Sequence, residues 1–331
     1  MVNFQDGIDA ALESPATFVQ GCESNQTAKG DPSGTFAAAK LAAAAADVTV
    51  LAVGLTANVM DAHGVGHEEE MIDRISLELP QVQQDLIAAV SSVAKKVVLV
   101  VVSGSAVPFN ESSVDAALYA MYGGAEAGNG LADVLFGDVA PSGRLPFTVF
   151  TSLDQVRPME DYDLVTQPGR THLYYGDTSV AKLGAPQFWF GFGLGYTTFQ
   201  YTNLRLTEAP RCHVTASITV TNVGKVAARE IAQLYLNRPE AEAGLPMAKW
   251  ALKGYQRTAV LAAGASTTLS FAVPPRELST VISDGSRSVT PGAYGITVGG
   301  GNPRDSRVAP RPINASVQIA QGCSPLIRGV Q

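Results

Sequence analysis

Three consecutive glutamates, Glu68, Glu69 and Glu70, stand in a short segment that also carries Asp61, His63, His67, Asp73 and Arg74. Adjacent carboxylates repel one another, so one of them can hold a raised pKa and keep its proton near neutrality. A carboxyl group still protonated at neutral pH is what a general acid requires. Two other readings stand beside this one. A run of charge is commonly a solvated surface loop. His63 and His67 lie four apart, a spacing that presents two imidazoles on one face of a helix, but Gly64 and Gly66 make this segment a loop, which argues against a metal site. No metal is expected.

The flanking elements would have to position these groups. The Ala-rich run Phe36 to Ala46 is a helix by propensity, and Val48 to Val53 follows as a short β-branched strand closed by Gly54. Pro80 suits the first turn of a second helix, on which Val82, Leu86, Ala89, Val90 and Val93 share one face. Lys95 and Lys96 are expected at its C-terminal end, where the helix dipole favours cations. Val97 to Val102 is the next buried strand, Ala117 to Tyr122 a third, and Leu131 to Phe136 a further helix. Such alternation predicts an α/β domain built on a parallel sheet. A parallel sheet places ligands at the carboxyl ends of its strands, and the glutamate segment leaves one of those ends.

Residues 138–200, rich in Pro, Gly and aromatics, are expected to wrap the surface as long loops. From about Tyr201 the pattern turns all-β. Val214, Ala216, Ile218 and Val220 alternate, as do Ala232, Leu234 and Leu236, then Leu269, Phe271 and Val273, and finally Tyr294, Ile296 and Val298. Turns such as Ala263-Gly264 and Pro291-Gly292 complete a sandwich of roughly seven strands. No element is expected beyond about residue 312.

The 331 residues carry a formal charge of -7, which argues against nucleic acid as a partner, because phosphate binding needs a basic face. No apolar run reaches the 18 or so residues of a membrane span. Cys22, Cys212 and Cys323 form neither a disulfide framework nor a zinc site, though one bridge, such as Cys212 to Cys323, stays open. Acceptor triplets for N-linked sugar occur at Asn25, Asn110 and Asn314. The segment Met1 to Ala10 has no basic start, apolar core or cleavage site, so no export signal is expected here.

Several blocks, in order, resemble glycoside hydrolase family 3 of the β-xylosidase type. The run Glu68 to Ile87 is similar to the family pattern of two glutamates spaced one residue apart, then Asp-Arg, Leu-x-Leu-Pro, a glutamine and Leu-Ile. Tyr122 to Pro146 resembles its Gly-rich block ending in Pro-Ser-Gly-Arg-Leu-Pro, with Gly123 where the family has proline. The stretch from Pro168 through Arg170, Thr171 and Tyr174 to Tyr175 resembles the xylosidase-type segment, with His172 at a family tyrosine. Phe190 to Phe199 resembles a further Gly- and aromatic-rich block. Val220 to Gly224, Gln233 to Tyr235, Leu252 to Arg257 and Pro291 to Tyr294 resemble the fibronectin type III-like domain that closes many members.

The resemblance implies a parallel-sheet α/β sandwich domain over 1–200 with wrapping loops, clipped at its N-terminal side. A fibronectin type III-like sandwich over 201–312 and a tail over 313–331 would follow. It maps the acid/base glutamate onto Glu68, with Glu70 as the alternative, since His63 to Gly66 lengthen the loop before them. Asp73 and Arg74 would anchor the loop as an ion pair or contact substrate directly. Arg170 and His172 would be surface residues or would meet sugar hydroxyls. Trp189, Phe190 and Phe192 would pack or offer a face to a sugar ring.

In the family the nucleophilic aspartate comes from a (β/α)8 barrel, which needs about 200 residues or more and is not among these. The chain is therefore expected to hold one carboxylate of the two that retaining hydrolysis requires, and to be inactive alone. The resemblance implies no metal and no organic cofactor; the implied partners are a glycoside or oligosaccharide substrate and a separate barrel-bearing chain, with neither nucleic acid nor membrane. The family points to a secreted location. The alternative is a non-catalytic remnant that binds carbohydrate or protein.

Overall fold

The computed structural model describes residues 1–22, 30–31, 33–55, 74, 76–158, 160–166, 169–239 and 247–320. The chain divides into two compact units, Met1–Val139 with Val149–Leu153, and Ala140–Thr148 with Asp154–Gln331.

The first unit holds helices α1 (Phe4–Ala10), α2 (Phe36–Ala45), α3 (Gln81–Ser91) and α4 (Ala127–Phe136), and strands β1 (Thr49–Gly54), β2 (Val97–Val102) and β3 (Ala116–Tyr119). The strands form a parallel sheet in the order β1-β2-β3, with Thr49 opposite Val97 and Val98 opposite Ala116. Central β2 has Leu99, Val100 and Val101 fully buried on its two faces, which is why its sequence reads as an unbroken run of Val and Leu. Against one face pack Val82, Leu86, Ile87 and Val90 of α3, at helical spacing, and Phe36 and Ala43 of α2, seven apart. Asp31 caps α2 by accepting from the Thr35 and Phe36 amides at 2.9 and 3.0 Å.

One expectation fails in this unit, and one helix was not anticipated. Helix α3 ends at Ser91, so Lys95 and Lys96 fall past its last turn. Lys95 pairs instead with Asp47 at 2.8 Å, an exposed contact that adds little stability. Helix α1 carried no apolar period to announce it, and its position depends on glycines. A β-carbon on Gly7 would lie 2.2 Å from the Gly128 carbonyl carbon, and one on Gly128 would lie 1.9 Å from the Asn3 carbonyl oxygen. Backbone bonds from Val2 N to Ala125 O and from Gly128 N to Val2 O, at 2.8 and 3.0 Å, complete the junction. Gly128→Ala is expected to cost this unit about 1–3 kcal/mol by overpacking, read as a lower urea midpoint with an unchanged slope.

The second unit is the antiparallel sandwich. One sheet has the order β4 (Phe199–Ala209), β5 (His213–Asn222), β8 (Ser266–Val273). The other runs β12 (Ile313–Ile319), β11 (Gly292–Gly299), β6 (Ile231–Asn237), β7 (Ala251–Arg257), and β9 (Thr280–Val281) with β10 (Arg287–Ser288) adds a two-residue ribbon. Alternate residues Val214, Ala216, Ile218 and Val220 of β5 meet Leu234, Leu236, Ile296 and Val298 of the facing sheet in one core. Buried Asn222, in the turn block Val220 to Gly224, donates to the Val226 and Leu261 carbonyls at 2.8 Å and accepts from Thr197 Oγ1 at 2.7 Å.

The chain past residue 312 is not featureless. Strand β12 pairs with β11 from Ile313 opposite Val298 to Ile319 opposite Gly292. The loop expectation for 138–200 also needs amending, because α5 (Thr171–Tyr174), α6 (Asp177–Leu183) and a turn of 3-10 helix at Leu153–Gln155 interrupt it. Buried Gln155 stitches these pieces together by donating to the carbonyls of Leu183, Gly184 and Ala185 at 3.0–3.1 Å. Cys212 is disulfide-bonded, while Cys323 lies outside the described residues.

Candidate active site

The carboxyl ends of β1, β2 and β3 form one rim of the parallel sheet, and the side chains there tie the three ends together. Gln83, on the buried face of α3, brackets Gly54: its Nε2 donates to the Gly54 carbonyl and its Oε1 accepts from the Gly54 amide, both at 2.8 Å. Gly54 is the last residue of β1, and a β-carbon there would lie 2.0 Å from the Val102 carbonyl oxygen. Glycine at that position lets the two strand ends close on each other. The next residue, Leu55, donates its amide to Val102 at 2.9 Å and accepts from Tyr122 Oη, past the end of β3, at 3.3 Å.

After β2, Ser103 is buried and folds its hydroxyl onto the Ser105 carbonyl at 2.9 Å. Arg74 Nη2 donates to the Ala106 carbonyl in that same loop at 3.0 Å. Tyr119 Oη donates to the Val107 carbonyl, and burial pushes its phenol up. Past β3 the backbone enters the left-handed region at Met121, with φ of 53°. Gly123 keeps φ at -75°, a value proline could share, but a β-carbon there would sit 2.9 Å from that of Ala127. The turn is therefore drawn in against α4.

Leu55 and Arg74 are the described residues on either side of segment 56–73, and both are bonded to this rim. Glu68, Glu69, Glu70 and Asp73, like Asp61, His63 and His67, lie outside the described residues, as does any ion pair of Asp73 with Arg74. Sequence reading missed the parts of Gln83 and Tyr122. Gln83 was visible as a lone polar residue on the apolar face of α3. Replacing it by leucine is expected to strand both Gly54 groups and cost about 1–3 kcal/mol for each left unpaired. The measurement is urea unfolding, with faster amide exchange at Gly54 and Leu55.

Arg170 and His172 belong to the second unit. Arg170 donates its guanidinium to the carbonyls of Arg157 and Pro158. The His172 ring stacks on Phe190 with centroids 4.0 Å apart, and burial, assisted by the Arg304 charge, lowers its pKa. Trp189 is buried beneath Arg304, and Phe192 stacks on Phe188 at 5.0 Å with Arg307 over both rings. These aromatics pack. The same unit contains a cavity of about 290 Å³ lined in part by Arg144, Glu230 and Tyr201, whose polar groups are bonded to one another. Among the described residues no His, Cys, Asp and Glu cluster could hold a metal ion, and no helix is long and apolar enough to cross a membrane.

Comparison with known proteins gives the fold and the rim a context. The profile described as glycosyl hydrolase family 3 C-terminal domain matches residues 1–196, and the one described as fibronectin type III-like domain matches 230–301. A β-xylosidase from Formosa agariphila is 32% identical over 295 residues, covering 87% of this chain and 38% of its own length. A probable β-glucosidase I from Aspergillus flavus is 38% identical over 234 residues, covering 66% of this chain and 26% of its own. This chain thus spans about a quarter to two fifths of the length of these curated relatives. Among solved structures, a β-glucosidase from Bifidobacterium adolescentis superposes with a TM-score of 0.78 at 26% identity, over 96% of this chain and 45% of that one.

Proposed function

The chain belongs to glycosyl hydrolase family 3, and from that premise we propose that it supplies the general acid/base carboxylate of a retaining β-glycosidase of β-xylosidase type. The observation that carries the proposal is the origin of the glutamate segment at the carboxyl end of β1, with Leu55 and Arg74 both bonded to the sheet rim. Glu68 is the acid/base residue and Glu70 the alternative. In the first step the carboxyl proton goes to the leaving glycosidic oxygen while an opposed carboxylate, about 5 Å away, attacks the anomeric carbon. In the second step the carboxylate left behind takes a proton from water as the water oxygen attacks the anomeric carbon, and the bond to the opposed carboxylate breaks to release the sugar.

The opposed carboxylate comes from outside these 331 residues, in the barrel of the family architecture. The substrate class is a β-xyloside or related glycoside cut at its non-reducing end. Relatives named β-xylosidase and xylan 1,4-β-xylosidase support that choice, as does the segment from Pro168 to Tyr175. Relatives named β-glucosidase keep glucosides in the test set. A periplasmic β-glucosidase among the relatives is in keeping with a site of action outside the cytoplasm. The purified chain, given aryl β-xylosides and aryl β-glucosides, is expected to turn over neither above the buffer rate. Turnover that disappears in Glu68→Gln would show that both carboxylates lie within this chain.

A further inference from the structure

We propose that Asn110 is an acceptor for N-linked oligosaccharide wherever this chain passes through a compartment holding a polyprenyl-diphosphate-linked sugar donor. Asn110, Glu111 and Ser112 satisfy the acceptor triplet, and all three are exposed. The Asn110 Oδ1 accepts from the Ser112 amide at 3.1 Å and from Ser112 Oγ at 2.8 Å. That arrangement puts the hydroxyl the triplet requires on the very amide to be modified. No described residue accepts a hydrogen bond from the Asn110 Nδ2. In the transfer the bond between the sugar's anomeric carbon and the diphosphate oxygen breaks, and a bond from that carbon to Nδ2 forms. One Nδ2 proton is lost and the polyprenyl diphosphate departs.

The position is suited to carry a large, solvated group. The turn closes with Ser113 N to Asn110 O at 3.2 Å, and Asp115 then joins the amino end of β2. The Asp115 amide donates to the Val97 carbonyl at 2.9 Å and its carboxylate accepts from the Val97 amide at 2.8 Å. Five residue steps along β2 separate Val97 from Val102, about 16 Å at the rise of a strand. The turn that carries Asn110 thus runs, through Asp115, directly to the amino end of β2, opposite to the end where segment 56–73 begins. Asn314 offers a contrast. It sits in β12 opposite Thr297, whose hydroxyl donates to its Oδ1.

The test directs the full chain into the secretory pathway of a eukaryotic cell behind a cleavable leader. N-glycans are then removed enzymatically in heavy-oxygen water, which converts each occupied asparagine into a labelled aspartate. Peptide mapping of cell-retained and secreted pools reads occupancy whether or not the chain is exported, and leader removal in the same map reports entry. The expected result is label at Asn110 in most molecules, lost in Ser112→Ala and kept in Ser112→Thr. An unlabelled Asn110 in leader-cleaved chain, or label that survives Ser112→Ala, overturns the proposal.

Discussion

Glu68→Gln, in an enzyme where a barrel supplies the opposed carboxylate, is expected to lower kcat toward xylo-oligosaccharides by roughly 10²–10⁴-fold. An amide cannot give a proton to the leaving oxygen, nor take one from water. The loss should depend on the leaving group. An activated aryl leaving group departs as its aryloxide without protonation, so for aryl glycosides the first step survives and only hydrolysis of the glycosyl-enzyme slows. The pH profile should carry the same signature: the proposed assignment requires Glu68 protonated in the reactive form, so the alkaline limb of kcat/KM is expected to flatten in the variant. Glu70→Gln should leave the leaving-group dependence intact. Steady-state kinetics on paired alkyl and aryl xylosides would check both variants.

Arg144→Met is expected to destabilise the sandwich unit by about 3–5 kcal/mol, because it leaves a buried carboxylate without its cation. Arg144 Nη2 lies 2.8 Å from Glu230 Oε1, and the two side chains are only 11% and 6% exposed. The guanidinium also donates to the carbonyls of Gly300, Ser142 and Gly143 at 2.8–3.1 Å, and Tyr201 Oη donates to the same carboxylate oxygen at 2.9 Å. Burial pushes the Glu230 carboxyl above its ordinary value of 4.5, while Arg144 and then Tyr201 pull it partly back. A raised carboxyl pKa means that the folded state binds the proton more tightly than the unfolded state. Stability from this group is therefore greatest below 4.5 and declines as pH rises through the folded value.

Without Arg144 the carboxyl rises further. The deficit of the variant should consequently be largest at neutral pH and narrow as pH falls toward 4.5. Arg144→Met combined with Glu230→Leu should recover much of the loss at neutral pH, since no buried charge remains. Guanidinium unfolding of the three proteins at both pH values would decide the matter. A deficit independent of pH would place the cost in lost packing by the arginine stem rather than in the stranded charge.

Much of this architecture could be read from residue order. The run Val97 to Val102 declared a strand buried on two faces, and the helical spacing of Val82, Leu86 and Val90 declared the helix that covers it. The alternation in residues 214–220 declared a sandwich strand. What escaped notice was structure whose stability is not local. Helix α1 is seven residues long with a central glycine, and it holds through the close Gly7 and Gly128 contact with α4. Strand β12 alternates Ile313, Ala315, Val317 and Ile319, but directly after Pro310, Arg311 and Pro312, and only its ladder to β11 identifies it.

At the candidate site the glutamates announced themselves by chemistry, whereas the groups that fix the rim did not. Gln83 looks like a defect in an apolar face until its two bonds to Gly54 are seen. Arg144 looked like one letter of a Gly-Arg-Leu-Pro block, and its partner Glu230 lies 86 residues away. Long-range polar pairs of this kind leave no period in a sequence.

The most direct test of the acid/base assignment is rescue by azide. In the barrel-complemented Glu68→Gln enzyme, acting on an activated aryl β-xyloside, azide needs no deprotonation and can attack the glycosyl-enzyme where water no longer does. The account predicts restored turnover and a xylosyl azide of the same anomeric configuration as the substrate, identified by proton NMR. An azide product of opposite configuration would identify Glu68 as the nucleophile and contradict the account.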